Sequence, residues 1–212
     1  MNKGLTRGLY AITDADLIPA DRLLAAVEQA ILGGARLLQY RDKRNFRPQR
    51  RHQAQALNEL CRARAVPLLI DDDAELAAEV DAAGVHLGQD DMPLATARKL
   101  LGAGAIIGIS CYNRLDSALD AAAAGADYVA FGSFFPSPIK PAAVRADPDL
   151  LRQARALLPL PVVAIGGITP ANGKSLIVAG TDYLAVISGV FGQPDIRAAA
   201  RAYTRLFEES RP

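Results

Sequence analysis

Cysteine is scarce in this 212-residue sequence: only Cys61 and Cys111 occur. Two thiols that far apart form neither a disulfide framework nor a thiolate metal site, so both are expected to be reduced, with Cys61 packed on a helix face. Charge of either sign is not in excess: the net charge is +1, and no long acidic or basic block occurs. That gives no case for a nucleic-acid polymer or an anionic membrane as partner. No apolar run is long enough to span a bilayer, and Met1–Arg7 lacks the apolar core of a signal peptide. Linker-like and low-complexity stretches are absent too. One domain over residues 1–212, in the cytoplasm, is the expectation, with half the residues hydrophobic and ample material for a core.

What is present is a rhythm. Short apolar runs alternate with alanine-rich amphipathic stretches. Eight strands are predicted: Leu9–Thr13, Ala35–Arg41, Val66–Asp71, Gly84–Leu87, Ala105–Ser110, Asp127–Phe131, Pro161–Ile165 and Asp182–Ser188. Most are apolar throughout, as when both faces of a parallel strand are covered. Between them Leu23, Leu24, Val27, Ala30 and Ile31 recur at helical spacing, as do Ile196, Ala200, Tyr203 and Phe207. Gly33-Gly34, Gly84, Gly125 and Gly180 stand where helices end, and Thr169-Pro170 and Met92-Pro93 where helices begin. Eight βα units predict a closed (β/α)8 barrel of the TIM type, with its site at the C-terminal ends of the strands. The rival, an open doubly wound sheet, lacks a strand followed by G-x-G-x-x-G.

The strand exits carry the polar residues. Strand 2 ends Gln39-Tyr40-Arg41-Asp42-Lys43, and period-two alternation puts Gln39, Arg41 and Lys43 on one side. An Arg inside a strand needs an anion, whereas Arg44, Arg47, Arg50 and Arg51 read as a solvated helix face. Strands 3 and 4 exit on Asp71-Asp72-Asp73 and on Gln89-Asp90-Asp91. Capping would account for Asp73 and Asp91. Five carboxylates on two adjacent exits exceed that need, and beside an Arg/Lys cluster they suggest a pyrophosphate–Mg²⁺ site.

Strand 6 leads into a proline-braced loop from Gly132 to Lys140, whose Lys140 could reach a phosphate over the barrel mouth or simply end a stiff surface loop. Gly166-Gly167 and Ser188-Gly189 follow strands 7 and 8, where this fold commonly binds phosphate on backbone N–H groups. His86 and His52 read as a structural and a surface histidine rather than as general bases. No Ser/His/Asp or Cys/His constellation supports acyl chemistry.

Taken in order, these segments resemble the thiamine phosphate synthase family. The resemblance rests on L-Y-A-I-T-D at 9–14, Q-Y-R-D-K at 39–43, I-D-D at 70–72, G-V-H-L-G-Q-D-D at 84–91, I-G-I-S at 107–110, G-A-D-Y-V at 125–129, the 131–140 loop, A-I-G-G-I at 164–168 and V-I-S at 186–188. It implies a transferase that joins a hydroxymethylpyrimidine diphosphate to a thiazole phosphate, releasing pyrophosphate by a dissociative route. By that likeness Gln39, Tyr40, Arg41, Asp42, Lys43 and Lys140 hold the pyrimidine diphosphate. Arg41, Lys43 and Lys140 stabilise the leaving group, while Asp71 and Ser110 contact the pyrimidine. One Mg²⁺ ion would sit on Asp72 and Asp91. Ser137, Pro138, Ile139, Gly167, Ile187 and Ser188 would bind the thiazole phosphate.

Three positions depart from the family pattern: Asp71 in place of Asn, Ile139 in place of Thr, and Tyr112 where His is frequent. The missing His argues against a related barrel that aromatises the thiazole phosphate. A binding barrel without catalysis would be expected to have lost Asp72, Asp91 or Lys140. An isomerase or epimerase barrel would need a placed acid/base pair. The oligomeric state is left open, a homodimer included.

Overall fold

Residues 5–136 and 144–210 are described by a computed structural model. Eight short strands form the inner wall: β1 (Gly8–Ile12), β2 (Ala35–Tyr40), β3 (Leu68–Asp71), β4 (Gly84–Leu87), β5 (Ile106–Tyr112), β6 (Tyr128–Phe131), β7 (Val162–Ile165) and β8 (Tyr183–Val186). Each pairs in parallel with its neighbours in sequence, and β8 pairs with β1, so the barrel is closed. Outside lie α1 (Leu23–Leu32), α2 (Arg47–Ala63), α3 (Ala74–Glu79), α4 (Leu94–Leu101), α5 (Leu115–Ala123), α6 (Pro148–Leu157), α7 (Pro170–Ala179), α8 (Ser188–Phe191) and α9 (Ile196–Glu208). The predicted βα order is observed. An open sheet is excluded.

Alternation along the strands sorts side chains into two cores. Leu9, Leu38, Ile70, Val85, Leu87, Val129 and Leu184 point outward and pack under the helices. Tyr10, Leu37, Leu69, Ile106, Tyr128, Val163 and Tyr183 fill the barrel. Three of the largest interior residues are thus tyrosines, whose hydroxyls need partners inside the wall. Gly108 makes room for one of them: a Cβ there would lie 1.9 Å from the Tyr128 ring.

The helix boundaries obey local chemistry. Thr169 and Asn172 form a reciprocal cap at the start of α7 with Pro170 in its first turn, and Gly180 ends it in the left-handed region. Gly84 does not act as a helix stop. It opens β4, where a Cβ would collide with the Ile106 carbonyl, so a close strand approach selects glycine there. Strand β8 ends at Val186 rather than Ser188, because Ser188 begins the one-turn helix α8.

Arg47, Arg50 and Arg51 of α2 pair with Asp73 and Glu79 of the α3 segment, and Arg44 pairs with Asp16. Arg44, Arg47 and Arg51 are exposed, as the solvated-face reading expects, but Arg50 is mostly buried, and with Arg47 it borders a hollow beside Lys43, Asp71 and Asp72. Cys61 is buried on α2, and Cys111 is buried as well. No helix among the described residues is long and apolar enough to cross a membrane.

Candidate functional site

A cavity of about 390 Å³ opens at the C-terminal ends of the strands. Its volume suits a small ligand. Its wall brings together Gln39, Arg41 and Lys43 after β2, Asp71 and Asp72 after β3, His86 and Asp91 of the β4 segment, Ser110 and Tyr112 of β5, and Gly166 and Ile187 after β7 and β8. The alternation read in Gln39-Tyr40-Arg41-Asp42-Lys43 therefore holds: the odd members face the cavity.

The even members do something else. Tyr40 is buried under the helices, its hydroxyl 2.7 Å from Gln53 Oε1 and 3.1 Å from Asp42 Oδ2. Asp42 accepts from the backbone N–H groups of Arg44 and Asn45 at 2.9 and 3.0 Å and from the Asn45 amide. Burial pushes the Asp42 carboxyl up, but these donors outweigh it and hold it below the usual range. With Thr13 and Asp14 both residues border a second, polar hollow of about 330 Å³ rather than the barrel mouth. Their geometry is that of residues shaping the β2 exit.

Arg41 is held from both sides. Its guanidinium donates to Asp14 Oδ2 at 2.6 Å, and its Nε lies 3.7 Å from Asp71 Oδ2. Its backbone N–H donates to Thr13 Oγ1 at 2.9 Å. A guanidinium anchored by neighbouring strand exits is fixed before any anion arrives. Lys43 bonds Asp72 and lies 3.3 Å from Asp71 Oδ2. The period-two pattern did not assign Asp14 this anchoring part. The signal available was its place at the exit of β1, next to that of β2.

Asp71 is nearly enclosed. Burial, then the neighbouring Asp72 charge, push its carboxyl up to about 6 against the opposing pull of Lys43 and Arg41. The folded protein thus keeps this proton up to about pH 6, whereas the unfolded chain releases it near 3.8. Ionised Asp71 therefore opposes folding above pH 6, and the penalty disappears below about pH 4. Asp71→Asn is expected to stabilise the metal-free protein at pH 7.5 by up to about 3 kcal/mol. The gain should vanish as the pH falls to 4. Melting curves in EDTA at both pH values check this, and a pH-independent difference would contradict it.

Asp72 occupies the left-handed region at φ +59°, a conformation that Asp accepts better than most residues. Its carboxyl hydrogen-bonds that of Asp91. Burial raises both. Lys43 and the hydrogen bond with Asp91 outweigh it at Asp72, which lies below its ordinary value. At Asp91 burial and the Asp72 charge outweigh the Gly88 N–H, leaving it raised. Asp91 does not cap α4, whose cap position is Pro93. Its Oδ2 accepts from Gly88 N–H at 2.7 Å instead, while Asp73 does cap α3. Two carboxyls that meet across adjacent strand exits are a donor pair that a divalent cation can take over. No group of three or more metal-binding side chains occurs among the described residues. A two-carboxylate site suits Mg²⁺, which keeps water and substrate oxygens as its remaining ligands.

Gly166, on the far wall, has φ of +104°; Gly167, at +60°, is not among the residues that line the cavity. A Cβ on Gly167 would lie 2.2 Å from the Pro136 carbonyl, so the β6 and β7 loops pack backbone against backbone. Ile187 lines the cavity, and Ser188 begins α8 behind it. Ser137, Pro138, Ile139 and Lys140 lie outside the described residues. Tyr112, half exposed at φ +51°, stands at the rim. His52 is exposed on α2, as expected of a surface histidine. His86 is the residue that the sequence reading undervalued: it faces the cavity and bonds Ser110 and Tyr128. Counting alternation from buried Val85 and Leu87 would have turned it inward.

Residues 9–190 match the family model described as thiamine monophosphate synthase. A thiamine-phosphate synthase from Marinobacter nauticus is 56% identical over 207 residues, covering 97% of this chain and 93% of that protein. The corresponding protein of Nitrosococcus oceani is also 56% identical, over 95% of this chain and 93% of its own length. Among solved structures, thiamine phosphate pyrophosphorylase from Pyrococcus furiosus superposes with a TM-score of 0.86 at 36% identity, covering 98% of this chain and 97% of that one. Motifs, barrel and strand-exit polar groups thus agree with relatives that match along nearly their whole length, and the chain belongs to the thiamine monophosphate synthase family.

Proposed function

We propose that this enzyme joins a hydroxymethylpyrimidine diphosphate to a thiazole phosphate, releasing pyrophosphate and forming thiamine phosphate. The observation that carries the reading is the convergence of Arg41 and Lys43 with the Asp72–Asp91 pair at one barrel mouth. Such a site can receive a diphosphate and oppose the negative charge that grows on it as it leaves. Asp72 and Asp91 would hold Mg²⁺, which when bound supplies further charge neutralisation on diphosphate oxygens. Arg41, fixed by Asp14, meets the leaving group without reorganising, and Lys43 moves from carboxylates to phosphate. Asp71 and Ser110 lie deeper, where a pyrimidine ring would sit, and Gln39 presents its amide beside them. Gly167, Ile187 and Ser188, with Ser137, Pro138 and Ile139, would take the thiazole phosphate. The thiazole nitrogen then captures the pyrimidine-methyl cation, and no strong general base is needed.

Incubation of the purified protein with both substrates and Mg²⁺, followed by assay of pyrophosphate and thiamine phosphate, tests the reading. Absence of both products would overturn it. Lys140 is assigned to the same leaving group. Lys140→Ala is expected to lower kcat by roughly a hundredfold or more, with a smaller change in the thiazole phosphate KM. Lys140→Arg should restore only part of the rate. A change confined to the thiazole phosphate KM would move Lys140 to the other subsite.

A further inference from the structure

A file of hydrogen bonds crosses the floor of the cavity. Gln39 Nε2 donates to Tyr10 Oη at 2.7 Å, and Tyr10 Oη lies 2.9 Å from Tyr128 Oη. Tyr128 Oη lies 2.8 Å from His86 Nδ1, and His86 Nε2 lies 2.9 Å from Ser110 Oγ. The first three members are almost wholly buried. The His86 and Tyr128 rings stack at 16°, with centroids 5.6 Å apart. The absent side chain of Gly108 leaves the space that Tyr128 occupies.

The file has a direction. Each tyrosine carries one proton, and burial raises both hydroxyls well above their ordinary pKa, so neither loses it. With the Gln39 NH2 group on Tyr10, the Tyr10 proton can go to Tyr128 and the Tyr128 proton to His86 Nδ1. A neutral imidazole that accepts at Nδ1 carries its hydrogen on Nε2. That hydrogen goes to Ser110 Oγ, and the serine's own proton is left to point into the cavity. The orientation of the Gln39 amide, with its NH2 group on Tyr10, sets this direction.

We infer that Gln39, Tyr10, Tyr128 and His86 form a positioning relay that fixes the Nε2–H form of His86 and makes Ser110 a hydrogen-bond donor to the substrate ring. A ring nitrogen with a free lone pair then receives the serine proton, whereas a ring N–H in its place can only use the second serine lone pair and leaves that proton unmatched. The relay therefore favours an aminopyrimidine over its oxo counterpart, in which the adjacent ring nitrogen is protonated. This specificity rests on the proposed pyrimidine substrate; the tautomer does not.

The tautomer is read from ¹⁵N chemical shifts of the substrate-free protein at a pH where imidazole is neutral. The spectrum contains only His52 and His86, and His52→Gln identifies the second. A pyridine-like Nδ1 and a pyrrole-like Nε2 for His86 are expected; the reverse pattern overturns the relay. Tyr128→Phe keeps the ring and removes the donor to Nδ1. It should mix the two tautomers and lower kcat/KM for the pyrimidine diphosphate by about tenfold, one lost buried hydrogen bond's worth, with the thiazole phosphate KM unchanged. It should also narrow the preference for the aminopyrimidine over the oxo compound. Unchanged shifts and an unchanged preference in that variant would show that Tyr128 is only packing. Because the shifts are measured without substrate, a wild-type protein that makes no thiamine phosphate would refute the proposed reaction while the shifts still decide the relay.

Discussion

Asp72→Ala and Asp91→Ala are each expected to reduce turnover by at least about a hundredfold, since a divalent cation facing a leaving diphosphate contributes several kcal/mol. The two carboxyls meet across the β3 and β4 exits. Either one alone offers a cation a single anchor, which Mg²⁺ retains poorly against water. The variants should differ in stability. Asp72 sits at φ +59°, where Ala is strained by about 1–2 kcal/mol, so Asp72→Asn is the cleaner probe of charge. Asp91→Ala leaves the Gly88 N–H without its acceptor and should loosen the β4 exit locally. The decisive measurement is rate against Mg²⁺ concentration: Asp72→Asn and Asp91→Asn should need far more metal for half-maximal rate. Full turnover by EDTA-treated wild type would remove the metal from the mechanism.

Arg41→Ala carries the other large effect, and it acts on both activity and stability. The guanidinium is only 18% exposed and bonds a still more buried carboxylate on Asp14. Removing it strands that carboxylate, at a cost of about 1–3 kcal/mol, and takes a fixed positive charge from the diphosphate. A fall in kcat of about two orders of magnitude or more is expected, together with a lower melting temperature. Arg41→Lys should recover more stability than activity. An ammonium can still meet Asp14 but cannot hold Asp14, Asp71 and a phosphate at once as a planar fork can. Asp14→Asn is the control: if Asp14 only orients Arg41, the variant should keep its melting temperature better than Arg41→Ala and lose kcat by a smaller factor. Equal rates for wild type and Arg41→Ala would place the diphosphate elsewhere.

The barrel was legible in the sequence because burial on both faces writes each strand as a continuous apolar run, and eight such runs were countable. Strand ends were less so. Val186-Ile187-Ser188 reads as strand until one sees that α8 begins at Ser188, a turn that no local propensity marks. Gly84 resembled a helix stop because the sequence cannot show that the Ile106 carbonyl crowds its Cα. Within the site, Gln39, Arg41 and Lys43 followed from alternation alone. Tyr40 and Asp42 were drawn in by their place in the same motif, although alternation turns them outward. Asp14 and His86 were missed for one reason: their value lies in partners 27 and 42 residues away, Arg41 and Tyr128, and spacing along a chain carries no trace of such pairs.

The pairing of β1 with β8, Gly8 beside Tyr183, has a consequence for how the chain is made. Thr204 of α9 also bonds the Gly33 carbonyl at the end of α1. The seam of the barrel is thus sewn by its first and last βα units. A ribosome adding about 5–20 residues per second takes roughly nine to thirty-five seconds to pass from Gly8 to Tyr183. Through most of that time β1 presents a bare edge of N–H and C=O groups, open to any other strand. Contacts of such long sequence separation also form slowly. Chains interrupted before β8 should therefore collect as aggregates rather than as weakly active barrels, and the yield of folded enzyme should depend on translation speed and chaperone supply more than its final stability would suggest.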